Sequence, residues 1–178
     1  MKYNIYFGDE NVRFALGRSG NKPLFVIGIN PNKANCYKSD PTIRKVEKLV
    51  SAWEYDGFLM LNLYPVRESK PENLCERFDD ELMLLNEKIV KMLLCNFKRA
   101  SIWAAWGDAF DVKDYFKNCL DQILRETTGL NLEWNRCESL TNSQNPRHPL
   151  GGQPHTITEQ SQLTKFDVAE YLTRKKQN

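Results

Sequence analysis

The chain contains three short runs of apolar residues, at positions 24–29, 58–63 and 100–106. Each run is rich in β-branched or aromatic residues or lies between turn-forming residues, and each is shorter than a typical helix. Continuous apolar runs of this length are typical of strands that are buried on both faces of a parallel sheet. The pattern therefore predicts three parallel strands at the centre of the fold.

Apolar residues at helical spacing fill the intervals between these runs. Asp40 can cap a first helix with Pro41 at its first position, a second helix is predicted over residues 79–95, and Asp108 opens a third that stops near Gly129. A last helix is predicted over residues 162–174. The residues expected to face the core are Ile43, Val46, Val50 and Trp53 in the first helix, Leu82, Leu85, Ile89 and Leu93 in the second, and Val112, Tyr115, Cys119, Ile123 and Leu124 in the third.

Strand and helix thus alternate along the chain, which is the pattern of a parallel sheet covered by helices. Residues 3–7 and 11–16, joined at Gly8-Asp9, predict a hairpin before the first central strand. Residues 131–160 are polar and rich in turn formers, and we expect one strand near residues 132–137 followed by a long functional loop. The sequence predicts a single α/β domain over residues 1–178.

The composition of the chain excludes several classes of protein. Five cysteines without a Cys-x-x-Cys pair argue against a disulfide framework, a structural zinc site or an iron–sulfur cluster. No apolar run approaches the roughly 18 residues that span a membrane, and the amino-terminal residues lack a signal's apolar stretch. We therefore expect a cytoplasmic protein without a membrane partner. A formal charge of +2 is too small for binding to nucleic acid by bulk charge alone, but it leaves room for a local basic surface.

Polar residues at the carboxyl ends of the predicted strands are the first candidates for a site, because ligands of open α/β sheets bind there. Asn30 can orient a water molecule, or it can stabilise its own Asn-Pro turn. Asn62 interrupts an apolar run, and its buried amide can pair with backbone or with the edge of a nucleobase. His148, in a downstream loop, can donate to an oxygen that gains negative charge, or it can be an ordinary surface residue.

The remaining candidates are basic and aromatic. Arg67, Arg147 and Arg44 can contact phosphates, or they can be solvated or ion-paired at the surface. Tyr37 and Tyr64 can stack on a base, although packing in the core or at its rim is the default for an aromatic residue.

The sequence contains none of the common motifs for binding a cofactor or for nucleophilic catalysis. The chain has no phosphate-binding loop, no dinucleotide fingerprint and no nucleophile elbow. Its two histidines are isolated from other ligand types, and we interpret His155 as a surface residue. We therefore expect no metal and no cofactor.

Taken in order, several segments identify the chain as a member of domain-of-unknown-function family 1643, found in bacteria and their phages. The resemblance covers roughly residues 12–152. The segments that carry it are Arg18, Gly28-Ile29-Asn30-Pro31-Asn32-Lys33-Ala34, Asp40-Pro41-Thr42-Ile43-Arg44, Asn62-Leu63-Tyr64, Arg67, Trp106-Gly107 and Arg147-His148-Pro149-Leu150.

That family in turn resembles the uracil-DNA glycosylase superfamily. The resemblance implies a three-layer α/β/α sandwich with a short central parallel sheet. It implies that Asn30 orients the attacking water, that Asn62 binds the pyrimidine edge and that His148 steadies charge on the departing base. Pro31 and Asn32 would then shape the substrate pocket. Asn32 stands where those enzymes usually have glycine or tyrosine, and Leu150 replaces a serine that helps to grip the DNA backbone.

The resulting hypothesis is an enzyme that hydrolyses the N-glycosidic bond of a uracil or modified pyrimidine base, with DNA as the favoured partner. It must extrude the base from the stack, position a water and stabilise the leaving oxygen. One alternative is a non-catalytic module that binds a nucleotide or nucleic acid as a sensor or defence component. Another is a hydrolase of free nucleosides or nucleotides. The sequence does not indicate an oligomeric state.

Overall fold

The computed structural model describes residues 1–151 and 156–177, and within them seven strands form one sheet in the order β1-β2-β4-β3-β5-β6-β7. The four central strands, β4, β3, β5 and β6, run parallel, and the outer strands pair antiparallel. The strands are β1 Ile5–Gly8, β2 Arg13–Arg18, β3 Pro23–Gly28, β4 Gly57–Asn62, β5 Ala100–Ala104, β6 Leu132–Cys137 and β7 Leu163–Lys165.

The sheet confirms the predicted α/β class, the three parallel strands and the amino-terminal hairpin. The central strands are almost wholly apolar and buried on both faces, which is why continuous hydrophobic runs identified them. The expectation of a short sheet is wrong, because β2 pairs with β4 and extends the sheet through the hairpin. At the other edge β7 pairs with β6, where the sequence predicted the start of the last helix.

Four α-helices lie within the described residues: α1 Pro41–Ala52, α2 Asp80–Leu94, α3 Tyr115–Glu126 and α4 Val168–Gln177. Asp40 caps α1 as predicted, since its Oδ1 accepts a hydrogen bond from the Ile43 amide at 2.9 Å. The third helix begins later than predicted, because the chain first makes a 3-10 turn over Gly107–Asp111. The fourth also begins later, after β7. None of the described helices has the length and apolar character that a membrane span requires.

The buried face of α2 differs from the predicted one. Met83, Val90 and Leu94 are buried, whereas Leu85 is 45% exposed. The helix is turned so that the fully buried Asn86 faces the sheet, where its Nδ2 donates to the carbonyl oxygens of Asn62 at 3.0 Å and Leu63 at 3.2 Å. These two hydrogen bonds, and not the spacing of the leucines, therefore set which face of α2 is buried. Val112, predicted to be buried, is 44% exposed because it precedes α3.

Side chains of the sheet alternate between two hydrophobic cores. Phe25 and Ile27 of β3 belong to a core that includes residues of α2, α3 and α4. Leu24 and Val26 belong to a second core with the buried side chains of α1. Helices therefore pack against both faces, and the carboxyl ends of the parallel strands remain open at one edge of the sheet.

Candidate functional site

A cavity of about 340 Å³ opens at the carboxyl ends of the central strands. Gly28 and the residues after it line the cavity from β3, Met60 lines it from β4, and Trp106 lines it from the end of β5. The first turn of α1 and the loop that carries His148 complete the wall. Asn30 and His148, predicted independently from distant segments, therefore line one cavity.

The side chain of Asn30 is fixed in one orientation. Its Nδ2 donates to the carbonyl oxygens of Glu68 at 2.8 Å, Val66 at 3.2 Å and Pro31 at 3.4 Å. Rotating the amide by 180° would place its oxygen against these three carbonyl oxygens, which is unfavourable. Oδ1 accepts no hydrogen bond from any residue that the structure describes. It is therefore a preset acceptor at a half-buried position of the cavity wall.

His148 is held as a neutral imidazole with a defined tautomer. Its Nδ1 accepts a hydrogen bond from the Leu150 amide at 3.2 Å, so the proton of the neutral ring lies on Nε2. Burial lowers the pKa of His148 to about 4, although the nearby Asp40 carboxylate opposes this shift. At neutral pH the residue thus offers one N–H donor and no charge.

The loop before His148 is anchored to the end of β5 by a buried network. Asn145 is fully buried and donates to the Asp108 carboxylate at 3.0 Å, while its Oδ1 accepts from the Tyr171 hydroxyl at 2.7 Å. The Gly107 amide donates to the Pro146 carbonyl oxygen at 2.8 Å. These contacts fix the position of the imidazole relative to β5.

Gly107 permits this close approach, and we expect Gly107→Ala to displace His148. A Cβ at position 107 would lie 2.9 Å from the Cβ of His148, and the residue has a φ of +65°. The backbone conformation and the contact together predict a loss of about 1–3 kcal/mol in the free energy of unfolding. Denaturant unfolding measures this loss, and the NMR chemical shifts of the His148 ring measure the displacement. Wild-type stability and wild-type ring shifts in the variant would contradict the predicted contact.

The lowered pKa of His148 predicts an acid-dependent loss of stability. An unfolded histidine has a pKa near 6.5 and binds a proton before the folded one does, so the contribution is complete above pH 6.5. It is lost as the pH falls from 6.5 to about 4, and its full size is about 3 kcal/mol. Denaturant unfolding of the wild type and of His148→Asn across this pH range isolates the histidine contribution, because asparagine keeps an acceptor for the Leu150 amide and does not titrate. If the free energy of unfolding changes equally with pH in the two proteins, the prediction is wrong.

Asn62 lies just beneath the cavity and not in its wall. The residue is fully buried; its Nδ2 donates to the Arg13 carbonyl oxygen at 3.4 Å, and its Oδ1 has no partner among the described residues. A Cβ on Gly28, which lines the cavity, would come within 3.4 Å of that Oδ1. The absence of a side chain at Gly28 therefore leaves the amide oxygen close to the cavity floor.

Arg13 also lines the cavity, and sequence reasoning missed it. The side chain is 2% exposed; Nη1 donates to the Ala34 carbonyl oxygen at 3.2 Å, and Nε has no hydrogen-bond partner in the described residues. Burial lowers its pKa to about 10, so the guanidinium remains charged at neutral pH. The available signal was a lone arginine within the apolar segment Val12-Arg13-Phe14-Ala15-Leu16.

The three arginines predicted to contact phosphates do not line this cavity. Arg67 donates to the carbonyl oxygens of Asp9 and Ala34 at 3.0 Å each and thereby ties the segment after β3 to the hairpin. The buried Arg147 donates to the Ser139 carbonyl oxygen at 2.9 Å and secures its own loop. Arg44 is exposed on α1, outside the cavity.

The predicted stacking residues also lie elsewhere. Tyr64 is buried in the core, where its hydroxyl accepts a hydrogen bond from the Asp79 amide and its ring packs on Tyr115. Tyr37 is 71% exposed and lines a neighbouring open groove of about 660 Å³.

Asn32 lies in the wall that separates this groove from the cavity, and it lines both. Pro31 is buried behind the wall, and its carbonyl oxygen accepts from the Glu68 amide at 3.0 Å. His155 lies outside the described residues.

Comparison with known proteins places the chain in a sequence family but not near a characterised protein. The model of a family described as proteins of unknown function, DUF1643, matches residues 13–150. No curated protein and no solved structure matches the chain. The matched segment begins at Arg13 and ends at Leu150, and both residues line the cavity.

Proposed function

The chain belongs to the DUF1643 family of proteins of unknown function, and we propose that it hydrolyses the N-glycosidic bond of a uracil or modified pyrimidine nucleotide. One observation carries the proposal: an oriented amide oxygen and a neutral imidazole donor line the same cavity. The first group can orient the attacking water, and the second can stabilise the negative charge on the leaving base.

The reaction assigns a role to each polar group. A water molecule adds to the sugar carbon as the bond to the base nitrogen breaks, so positive charge builds on the sugar and negative charge on the base. The base leaves with the bonding electron pair; the added water then loses a proton to solvent, and the base anion takes one up from solvent. Asn30 Oδ1 accepts a hydrogen bond from the attacking water and directs its lone pair. His148 Nε2 donates to the base oxygen that gains charge. Asn62 Oδ1 has no partner among the described residues but lies beneath the cavity floor, so it accepts from a ring N–H of the base only if the floor at Gly28 opens.

The order of these groups along the chain supports kinship with the uracil-DNA glycosylase superfamily. Asn30 follows β3, Asn62 ends β4, and His148 lies in a late loop beside the same cavity. These are the places that the resemblance assigns to the water-orienting, base-binding and charge-stabilising residues. The three-layer sandwich of that superfamily belongs to the same proposal.

A second candidate function is hydrolysis or binding of a free nucleotide, and the backbone contacts of Arg67 and Arg147 favour it. The donors of Arg67 and Arg147 hold backbone carbonyls, and neither residue lines the cavity. A cavity of about 340 Å³ is near the lower end of the range for ligand pockets, roughly 300–1,000 Å³. The space suits one nucleotide unit.

A substrate panel tests the proposal and separates the candidates. The full chain is incubated with oligonucleotides that carry uracil or a modified pyrimidine, and with the matching nucleosides and nucleoside monophosphates. Chromatography then measures the free base. Release from any member supports the hydrolase, and the preferred member identifies the substrate class. Saturable binding without release would favour the non-catalytic module and contradict hydrolysis.

A further inference from the structure

The guanidinium of Arg13 is a buried cation that forms no ion pair with any residue the structure describes. The side chain is 2% exposed. Within the same residues, Nη1 donates to the Ala34 carbonyl oxygen alone, and Nε has no hydrogen-bond partner. A buried charge is costly unless it is paired and hydrogen-bonded. An anion bound beside Arg13 in the cavity would therefore stabilise this charge.

Three acidic residues, Asp40, Glu68 and Asp108, line the same cavity, and none of them forms an ion pair with Arg13. Asp40 attracts Arg13 through space. Its Oδ1 accepts a hydrogen bond from the Ile43 amide and its Oδ2 from the Ala34 amide at 3.3 Å. Asp40 therefore holds the start of α1 and the loop before it without a direct contact to the guanidinium.

Resting on the hydrolysis proposed above, we propose that Arg13 binds a terminal phosphate of the substrate, so that the cavity accepts a nucleoside monophosphate or a phosphorylated strand end. A permanent buried cation calls for a permanent anion, which a neutral base within a strand does not supply. Arginine matches phosphate oxygens with two parallel donors.

Burial also argues against an internal phosphate of a duplex. The Arg13 side chain belongs to the cavity lining and is 2% exposed, whereas the backbone phosphates of a duplex contact groups at the protein surface. A terminal phosphate can enter the cavity with the nucleotide that carries it. We therefore expect a ligand with a terminal phosphate to bind, and a nucleotide inside a strand not to.

Calorimetric titration of the full-length protein tests the phosphate site without assuming a base. The probes are 2-deoxyribose 5-phosphate against 2-deoxyribose, and deoxyuridine monophosphate against deoxyuridine. We expect each phosphorylated probe to bind at least about tenfold more tightly than its partner, because a hydrogen bond to a charged group contributes about 1.5–3 kcal/mol. Equal affinities within both pairs would overturn the proposal.

Two variants assign the effect to Arg13. Arg13→Met should reduce the phosphate preference to about one, whereas Arg13→Lys should retain part of it. Arg125→Gln removes the same charge from an exposed position on α3. This variant should bind the phosphorylated and unphosphorylated probes with the same affinity ratio as the wild type. If Arg13→Met does not fold by circular dichroism, the wild-type and lysine titrations decide the question. A full preference in folded Arg13→Met would overturn the assignment.

Base release separates this inference from the proposed function. Phosphate preference without release from any substrate would support the Arg13 site and contradict hydrolysis. Release of an internal base from an unphosphorylated oligonucleotide, unchanged in Arg13→Met, would support hydrolysis and overturn the inference. Binding of a 5′-phosphorylated oligonucleotide but not of the monophosphate would identify a strand end as the source of the phosphate.

Discussion

Replacing Asn30 with alanine is expected to lower the turnover number for base release by about 100-fold, the effect typical of removing one preorganised polar contact to the reacting groups. The Michaelis constant should change little, because the amide oxygen orients water and does not hold the base. The loss of three donor contacts to carbonyl oxygens should also lower the free energy of unfolding by about 1–3 kcal/mol. Steady-state kinetics and denaturant unfolding measure the two effects separately.

Asn135→Ala provides the matched control for this variant. Asn135 is a buried amide on β6 whose Nδ2 also donates to three acceptors, the closest being the Glu133 carbonyl oxygen at 2.9 Å, and it does not line the cavity. We expect a similar loss of stability with wild-type turnover. Equal turnover in Asn30→Ala and Asn135→Ala would remove Asn30 from the mechanism.

Replacing His148 with asparagine should lower turnover by about 100-fold, while glutamine at the same position should retain a larger share of activity. The asparagine oxygen takes the place of Nδ1 and keeps the contact from the Leu150 amide, but no donor remains at the position of Nε2. The longer glutamine can place an N–H near the position of Nε2. Turnover numbers of the two variants, measured on the substrate that the wild type prefers, isolate the donor.

The pH dependence of turnover gives a second test of the same residue. Because burial lowers the pKa of His148 to about 4, the imidazole is mainly neutral above pH 5, and its titration should leave turnover flat in that range. Turnover that rises as the pH falls from 7 to 5 would indicate a protonated imidazole as the acting form. Higher turnover in His148→Asn than in His148→Gln would also contradict the role of His148 as a hydrogen-bond donor.

The sequence predicted the parts of the fold that depend on local pattern. The buried parallel strands follow from unbroken apolar runs, and the start of α1 follows from Asp40 and the proline after it, since a cap depends on neighbouring residues alone. The orientation of α2 could not be predicted in this way. Its buried face is set by Asn86, which binds carbonyl groups at the end of a strand more than 20 positions earlier.

The sequence predicted candidate site residues after strand ends and in the long polar loop. Asn30 was predicted because it follows the apolar run of β3, and His148 because it is a histidine in a loop that is rich in turn formers. Tyr64 also follows a strand, yet it packs in the core against Tyr115, a contact between segments that no local pattern contains. Arg13 was missed because it lies on an antiparallel strand, which the rule for parallel strand ends does not cover.

Release of free base from the preferred substrate under single-turnover conditions is the direct measure of the proposed hydrolysis. The wild type is compared with the Asn30→Ala, His148→Asn double variant, after circular dichroism has shown that both are folded. For oligonucleotides, hot alkali cuts any abasic site and makes the product visible as a shortened strand. We expect base release by the wild type and at least about 100-fold slower release by the double variant. Equal rates in the two proteins, or binding of every substrate without release of any base, would contradict it.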